Sequence, residues 1–209
     1  MKPPNLSPQQ ETLWVDRARR GDADAFESLV HLYEKRVYAL ALRLCGNPDD
    51  AQEAAQEAFL SAWQGLPFFR GESSFATWLY RLTNNACIDL LRRESRHRGA
   101  AGPSLDNEDL NLDLPDPGEG PQEEAERREL RETIEAGLQA LSPDHRTVLV
   151  LREIHQLSYD EISETLDLDV GTVKSRISRG RRQLRNFLAE HGNLFAPPSS
   201  KASEKEGCK

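Results

Sequence analysis

A segment rich in proline, glycine and carboxylates interrupts the middle of this 209-residue chain. The stretch PSLDNEDLNLDLPDPGEGPQEE occupies residues 103–124, and residues 104–132 hold eleven Asp or Glu against three Arg. Such a composition buries too little apolar surface to fold by itself, so we expect a flexible tether here. The expected organisation is an N-terminal domain over 10–98, an acidic linker over 99–123, a C-terminal domain over 124–190 and a disordered tail over 191–209.

The N-terminal unit has the apolar spacing of helices. Between residues 26 and 44, apolar side chains recur every three or four positions, and Asp22 or Asp24 is placed to cap this helix. Gly46-Asn47-Pro48 predicts a stop and a new start, with the Asn as cap and the Pro in the first turn. After the loop GLPFFRGESS, a third long helix is predicted from about residue 75 to residue 93.

The C-terminal unit has the boundaries of a helix-turn-helix. Ser142-Pro143 predicts a helix start with the Ser as cap, and Ser158-Tyr-Asp-Glu161 is a capping box. The break DLDV separates that short helix from VGTVKSRISRGRRQLR, which has one apolar and one basic side. Convincing strand patterns do not occur. The expected fold is therefore all-α, with an N-terminal helical bundle and a C-terminal helix-turn-helix joined by the flexible acidic linker.

The basic helix at residues 170–185 points to DNA. It holds six Lys or Arg and no carboxylate, although the whole chain has a formal net charge of −8. Small residues in its first turns let the backbone approach a groove, and its cations suit phosphates or guanine edges. The alternative partner is an acidic protein surface. Candidates for base contacts are Thr172, Lys174, Ser175, Ser178 and Arg179, and candidates for phosphate contacts are Arg176, Arg182 and Arg185.

Other classes of function have no signature in the sequence. The three Cys and five His are scattered without the spacing of a zinc site or a disulfide framework, so we expect no metal and no cofactor. Apolar runs of 18 residues and the apolar core of a secretory signal do not occur, so we expect a cytoplasmic protein without stable membrane insertion. The sequence contains no nucleophile–His–carboxylate grouping or phosphate loop that would indicate an enzyme.

Three stretches together resemble one protein family. PFFRGESSFATWLYRLTNNACIDLLRR resembles the promoter-melting segment of bacterial sigma factors of the extracytoplasmic-function (ECF) type, and DDAQEAAQEAFLSAW resembles their polymerase-docking segment. LSPDHRTVLVLREIHQLSYDEISETLDLDVGTVKSRISRGRRQLR resembles their C-terminal domain, and the three cover most of residues 20–190. The resemblance implies a non-enzymatic initiation factor. Its implied partners are the β′ and β subunits of core RNA polymerase, promoter DNA and an inhibitory anti-sigma factor.

The resemblance also implies residue roles. Docking on polymerase would use Asp50, Gln52, Glu53, Gln56, Glu57, Leu60 and Trp63. Melting at the −10 element would use Phe69, Arg70, Ser73, Arg81, Asn84, Asn85 and Arg92, with Phe69 as the ring on which a flipped base stacks. Asn85 matches the family's usual Asn, whereas the position of Asn84 is more often apolar. Recognition of the −35 element would use Thr172, Lys174, Ser175, Arg176, Ser178, Arg179 and Arg182.

A second interpretation remains open at this point. A transcription regulator that binds DNA alone would also need a helix-turn-helix, and its N-terminal unit would be a sensor. That interpretation predicts tight operator binding by the free protein, as a symmetric dimer. The sigma-factor interpretation predicts weak binding by the free chain and strong binding together with core polymerase.

Overall fold

The computed structural model describes residues 8–98 and 121–191, in which all regular structure is helical. The N-terminal domain contains α1 (Pro8–Ala18), α2 (Ala23–Cys45), α3 (Pro48–Gly65), a 3₁₀ turn (Leu66–Phe68) and α4 (Phe75–Arg98). The C-terminal domain contains α5 (Pro121–Gln139), α6 (Pro143–Leu149), a π-helical turn (Val150–Ile154), α7 (Tyr159–Leu166) and α8 (Val170–His191). The predicted all-α fold with two helical domains is confirmed. Most of the predicted linker and tail lies outside the described residues. Within residues 8–98 and 121–191, no helix is long and apolar enough to span a membrane.

Local helix signals place most of the boundaries. Asp22 caps α2 by accepting from the N–H of Ala25 at 3.1 Å, and Asn47 caps α3 by accepting from the N–H of Asp50 at 2.8 Å. The capping box of α7 is complete, because Ser158 and Glu161 each accept from the other's main-chain N–H. The prediction that the Ser142 side chain caps a helix is wrong. Helix α6 does begin after it, but the Ser142 hydroxyl lies 3.1 Å from Nδ1 of His145 and caps no main-chain N–H.

Helix α1 has no counterpart in the sequence predictions. Its apolar residues Leu13, Trp14 and Val15 are adjacent rather than spaced at three or four, so they form no stripe. The helix is held in place by burial of Val15 and by a hydrogen bond of 2.7 Å from the Tyr33 hydroxyl to Oε1 of Glu11. The buried hydroxyl has its pKa raised by desolvation and then by the Glu11 carboxylate.

The N-terminal domain packs α1 to α4 around an aliphatic and aromatic core. Leu29, Val37 and Leu79 are fully buried, and the side chains of α3 that face them are mostly alanines, which let that helix approach closely. The C-terminal domain has its own centre in the side chains of α6, the π-helical turn, α7 and α8. Its fully buried members are Val148, Leu149, Val150, Leu151, Ile162, Val173 and Ile177.

The two domains pack directly on each other. The guanidinium of Arg146 in α6 donates to the carbonyl of Leu44 in α2 at 3.1 Å, and also to the carbonyls of Leu138, Gln139 and Leu141 at 2.7–3.2 Å. Beside it, Arg43 of α2 forms a half-buried ion pair of 2.8 Å with Glu135 of α5. In addition to these polar contacts, apolar side chains of both domains form one continuous cluster.

An aromatic contact closes the other side of the domain interface. The ring of Tyr80 in α4 lies 4.7 Å from the imidazole of His155, which follows the π-helical turn. Nε2 of His155 is buried and has no hydrogen-bond partner among the described residues. Burial, with smaller contributions from the Arg43 and Arg36 charges, lowers the pKa of His155 from 6.5 to about 4. The imidazole is therefore neutral at pH 7.

Replacing Arg146 tests the main-chain contact between the domains. Arg146→Met keeps the length of the side chain but removes the guanidinium that donates to four carbonyl groups. We expect unfolding free energy to fall by about 2–4 kcal/mol, because buried acceptors then lose charged hydrogen bonds. Urea denaturation measures the loss. Arg185→Met removes a solvent-exposed Arg of α8 and is the control; equal stability of the two variants would contradict the assignment.

The neutral His155 predicts a loss of stability in mild acid. Its folded pKa is about 4 and its ordinary pKa is 6.5, so the unfolded chain takes up the proton first as the pH falls. The stabilisation is complete above pH 6.5 and disappears progressively toward pH 4, by about 1.4 kcal/mol per pH unit. Urea denaturation at pH 7 and pH 5 should show a weaker pH dependence for His155→Phe than for the wild type. Identical dependences would refute this role.

Candidate nucleic-acid interface

Helix α8 separates an apolar side from a basic side. Val173, Ile177 and Gly180 are buried against the rest of the domain. Gly180 suits a close approach, because a Cβ there would lie 3.1 Å from the Leu149 side chain. On the opposite side, most of the predicted base and phosphate contacts are exposed together: Lys174, Ser175, Ser178, Arg179, Arg182 and Arg185.

Two predicted members of this surface have partners inside the domain. Thr172 is half-buried in the first turn of α8, where Asp169 accepts from its hydroxyl and its main-chain N–H and so caps the helix. These hydrogen bonds lower the pKa of Asp169. Arg176 is half-buried and forms an ion pair of 2.9 Å with Asp144 of α6. Both residues therefore help to position α8, and they lie at the edge of its basic face.

Tyr159 is a member of the site that the sequence analysis missed. It is the first residue of α7, and its ring lies under two cations: the guanidinium carbon of Arg152 at 4.9 Å and Nζ of Lys174 at 5.9 Å. Together with Ser178, Arg179 and Arg182, it lines the groove beside α8. Cation–π attraction of this kind restrains Lys174 at the mouth of the groove. The position of Tyr159 directly after the capping Ser158 does not predict that its ring contacts these two cations.

A second site lies where the loop before α4 meets that helix. Four of the predicted melting residues line one pocket with Phe68 and Trp78: Phe69, Arg70, Ser73 and Arg81. The predicted stacking ring, Phe69, is largely buried, and its stacking on a base stays a prediction. It is only 9% exposed because it packs against Phe75 and Trp78, with ring centroids 6.3 and 4.9 Å away. Its neighbour Phe68 is 83% exposed and is the available ring.

The two predicted asparagines of α4 differ in exposure. Asn85 is exposed, as is Arg92 two turns further along. Asn84 is 4% exposed, on the α4 face that also carries Thr77 and Tyr80, and its Oδ1 has no hydrogen-bond partner among the described residues. That face meets the C-terminal domain, since Tyr80 contacts His155 and Thr77 contacts Glu161. Asn84 is therefore inaccessible in this arrangement of the domains, and its role in melting stays a prediction.

The predicted docking residues form a stripe on α3. Gln52, Glu53, Gln56, Glu57 and Leu60 are exposed, and Leu60 is an unusually accessible apolar side chain. The first and last of the predicted docking residues have partners inside the domain. The Asp50 carboxylate accepts from the side chain of Asn47, and the Trp63 ring packs 5.0 Å from that of Phe26. The Glu53 carboxylate also lies 3.2 Å from the guanidinium of Arg93 in α4.

Comparisons with known proteins identify the family. Family models for Sigma-70 region 2 and Sigma-70 region 4 match residues 29–97 and 131–184. Over 178 residues, the chain is 36% identical to the ECF RNA polymerase sigma factor SigW of Bacillus subtilis. This alignment covers 84% of this chain and 95% of SigW. The chain belongs to the ECF family of RNA polymerase sigma factors. It is also 38% identical over 187 residues to the RNA polymerase sigma-H factor of Pseudomonas aeruginosa, covering 88% of this chain and 96% of that one.

Solved structures agree with the fold of this sigma factor. CnrH, solved in complex with the cytosolic domain of CnrY, matches with a TM-score of 0.65 and 25% identity, over 87% of this chain and 99% of CnrH. The sigma factor RpoE of Bartonella quintana, solved with the anti-sigma factor NepR, matches with a TM-score of 0.63. At 23% identity over 78% of this chain and 96% of that one, the second match supports the fold alone.

Because Phe69 is buried and Phe68 is exposed, truncating the two rings should affect stability to different extents. Phe69→Ala should lower the unfolding free energy by about 3 kcal/mol, because it empties a space between packed aromatic rings. Phe68→Ala should change it by less than about 0.5 kcal/mol, because the ring is exposed. Urea denaturation of the two variants side by side measures both effects. Similar losses, or a larger loss for Phe68→Ala, would reverse our assignment of the buried ring.

Proposed function

We propose that this sigma factor directs core RNA polymerase to promoters through three separate surfaces. The exposed stripe of α3 docks on polymerase, the pocket beside α4 holds an unpaired base of the −10 element, and the basic face of α8 reads the −35 element. The separation of charge supports this division. Helix α3 carries four carboxylates and no cation, whereas residues 170–185 carry six cations and no carboxylate. An acidic surface suits a basic protein partner and repels DNA, and the basic surface does the reverse.

The −35 contacts follow from the position of α8 as the second helix of the helix-turn-helix. Its first turns enter the major groove, where Lys174, Ser175, Ser178 and Arg179 reach base edges. Arg182 and Arg185 lie further along the exposed side and hold phosphates. Thr172 and Arg176 act at the edge of this surface, because Asp169 and Asp144 engage their side chains.

The −10 contacts centre on the pocket before α4. The exposed ring of Phe68 stacks on a base taken out of the duplex, which contributes about 1–3 kcal/mol toward the cost of unstacking it. Arg70 and Arg81 supply positive charge for the strand, and Ser73 supplies a hydroxyl. Asn85 and Arg92 continue the contact along the exposed side of α4. Polymerase itself performs the chemistry, so this chain acts without a catalytic group of its own.

Regulation and location complete the proposal. CnrH and the Bartonella quintana RpoE were solved with the cytosolic domain of CnrY and with the anti-sigma factor NepR. We infer that an anti-sigma protein likewise controls this chain by covering its polymerase-binding and DNA-binding surfaces. The protein acts in the cytoplasm. Residues 99–120, which precede α5, then serve as an acidic connection that follows the nucleic-acid path of polymerase.

Transcription from genomic DNA tests the function directly. Core polymerase with and without the purified chain transcribes a genomic library in vitro, and sequencing maps the start sites. We expect a discrete set of starts that require the chain and share −10 and −35 elements. Binding of duplex DNA from these promoters should need both proteins. Tight binding by the chain alone, together with no polymerase-dependent start, would favour the regulator that binds DNA by itself.

Charge reversal on α3 tests the docking stripe. Glu57→Lys should weaken binding to core polymerase about tenfold, which corresponds to about 1.4 kcal/mol, because an acidic contact becomes repulsive. Glu27→Lys is the matched control, since Glu27 is exposed on α2 of the same domain and outside the stripe. Fluorescence titration of labelled chain with core enzyme measures both affinities. Equal affinities of the two variants would refute docking through this part of α3.

A further inference from the structure

Arg181 lies among the predicted DNA contacts of α8, but its guanidinium already has an anionic partner. Lys174, Ser178, Arg181 and Arg185 follow one another at intervals of four, three and four residues, so they share one side of the helix, and all four line the groove beside α8. There, Oε1 of Glu153 accepts from Nε of Arg181 at 2.9 Å and from Nη2 at 2.6 Å. A carboxylate from the π-helical turn therefore engages one of the cations of this groove.

The geometry of this pair resembles a phosphate contact. One anionic oxygen accepts from two N–H groups of the same guanidinium, as a phosphate oxygen can. The hydrogen bond to Glu153, above all, raises the pKa of Arg181, so the guanidinium keeps its charge. The two side chains are 48% and 51% exposed, so an incoming phosphate can reach the guanidinium. Exposed ion pairs are weak because water and salt screen them, and a polyanion can therefore displace the carboxylate.

Other contacts keep α8 and the π-helical turn in place when this pair opens. Arg176 of α8, which does not line the groove, pairs with Asp144 of α6 at 2.9 Å. At the turn, the Arg152 guanidinium donates to the Leu157 carbonyl at 2.7 Å. Glu153 can therefore release its partner without loosening the helix-turn-helix.

We propose that Arg181 is a further phosphate contact of α8, and that Glu153 holds its guanidinium in the free chain until a DNA phosphate displaces the carboxylate. This inference rests on the proposed binding of promoter DNA by α8. Displacement leaves Glu153 facing solvent and Arg181 paired with the DNA strand, so one ion pair is exchanged for another. Phosphates carry no sequence information, so Glu153 lowers the affinity for every duplex without changing base preference.

Removal of the carboxylate tests the exchange. Glu153→Gln keeps the shape of the side chain but removes its charge, which leaves Arg181 available to a phosphate. Asp160→Asn is the matched control, because it makes the same change of charge at an exposed residue next to Tyr159, which lines the same groove. Fluorescence anisotropy with the full-length chain and a labelled, mixed-sequence duplex of about 20 base pairs, roughly two helical turns, gives each affinity at one low salt concentration. We expect Glu153→Gln to bind about two- to fivefold more tightly than Asp160→Asn, because only Glu153→Gln frees a cation.

This gain must depend on Arg181. In an Arg181→Gln background, Glu153→Gln and Asp160→Asn should bind equally, because no guanidinium is left to release. Equal affinities of the two variants with Arg181 present, or the same difference between them without it, would overturn the exchange. Circular dichroism checks that the variants are folded. Should Glu153→Gln fail to fold, Glu153→Ala against Asp160→Ala applies the same criterion.

Arg182→Gln separates this result from the proposed function. Arg182 lines the groove, so its loss should weaken binding of the duplex whatever Glu153 does. Weaker binding by Arg182→Gln, together with equal affinities of Glu153→Gln and Asp160→Asn, would refute the exchange alone. Unchanged binding by Arg182→Gln would refute DNA binding through this face of α8, and the exchange with it.

Discussion

The guanidinium of Arg146 satisfies main-chain carbonyl groups from both domains. The last carbonyls of any helix lack partners within that helix, and burying them without a donor is costly. Arg146 supplies donors to the end of α5 and to the last turn of α2 at once. Burial lowers its pKa, yet a guanidinium stays protonated, so the contact keeps its charge. The fold of the C-terminal domain and its docking on the N-terminal domain are therefore coupled through one side chain.

That coupling gives α7 two roles in one chain. In the C-terminal domain, it is the first helix of the helix-turn-helix, and its Tyr159 restrains a cation of the basic face. Toward the N-terminal domain, its Glu164 and Thr165 line the pocket beside α4. The two roles use different sides of the same short helix.

Sequence reasoning located the helices well because their ends depend on local chemistry. Asp22, Asn47 and Ser158 cap helices through groups within three residues, and such signals need no knowledge of the fold. The accessibility of α4 could not be found in this way. One side of α4 packs Leu79 into the N-terminal core, and another packs Tyr80 and Cys87 into the cluster shared with the C-terminal domain. The second partner comes from a distant part of the chain, so spacing alone left Asn84 on an exposed face. Phe68 and Phe69 were equally ambiguous, since neighbouring aromatic residues in a loop do not reveal which ring turns inward.

The ion pairs of α8 explain how a strongly basic helix can be held in place while part of its charge stays exposed. Arg176 pairs with Asp144 and Arg181 pairs with Glu153, so acids of α6 and the π-helical turn hold the helix from its two edges. Between those edges, Arg179, Arg182 and Arg185 have no ion-pair partner among the side chains that the structure describes. A face neutralised throughout would release few counterions on meeting DNA, and a face without any pairs would lack orientation. Placing the acids at the edges keeps the central charges free for phosphates and bases while the helix stays rigid enough to present them in register.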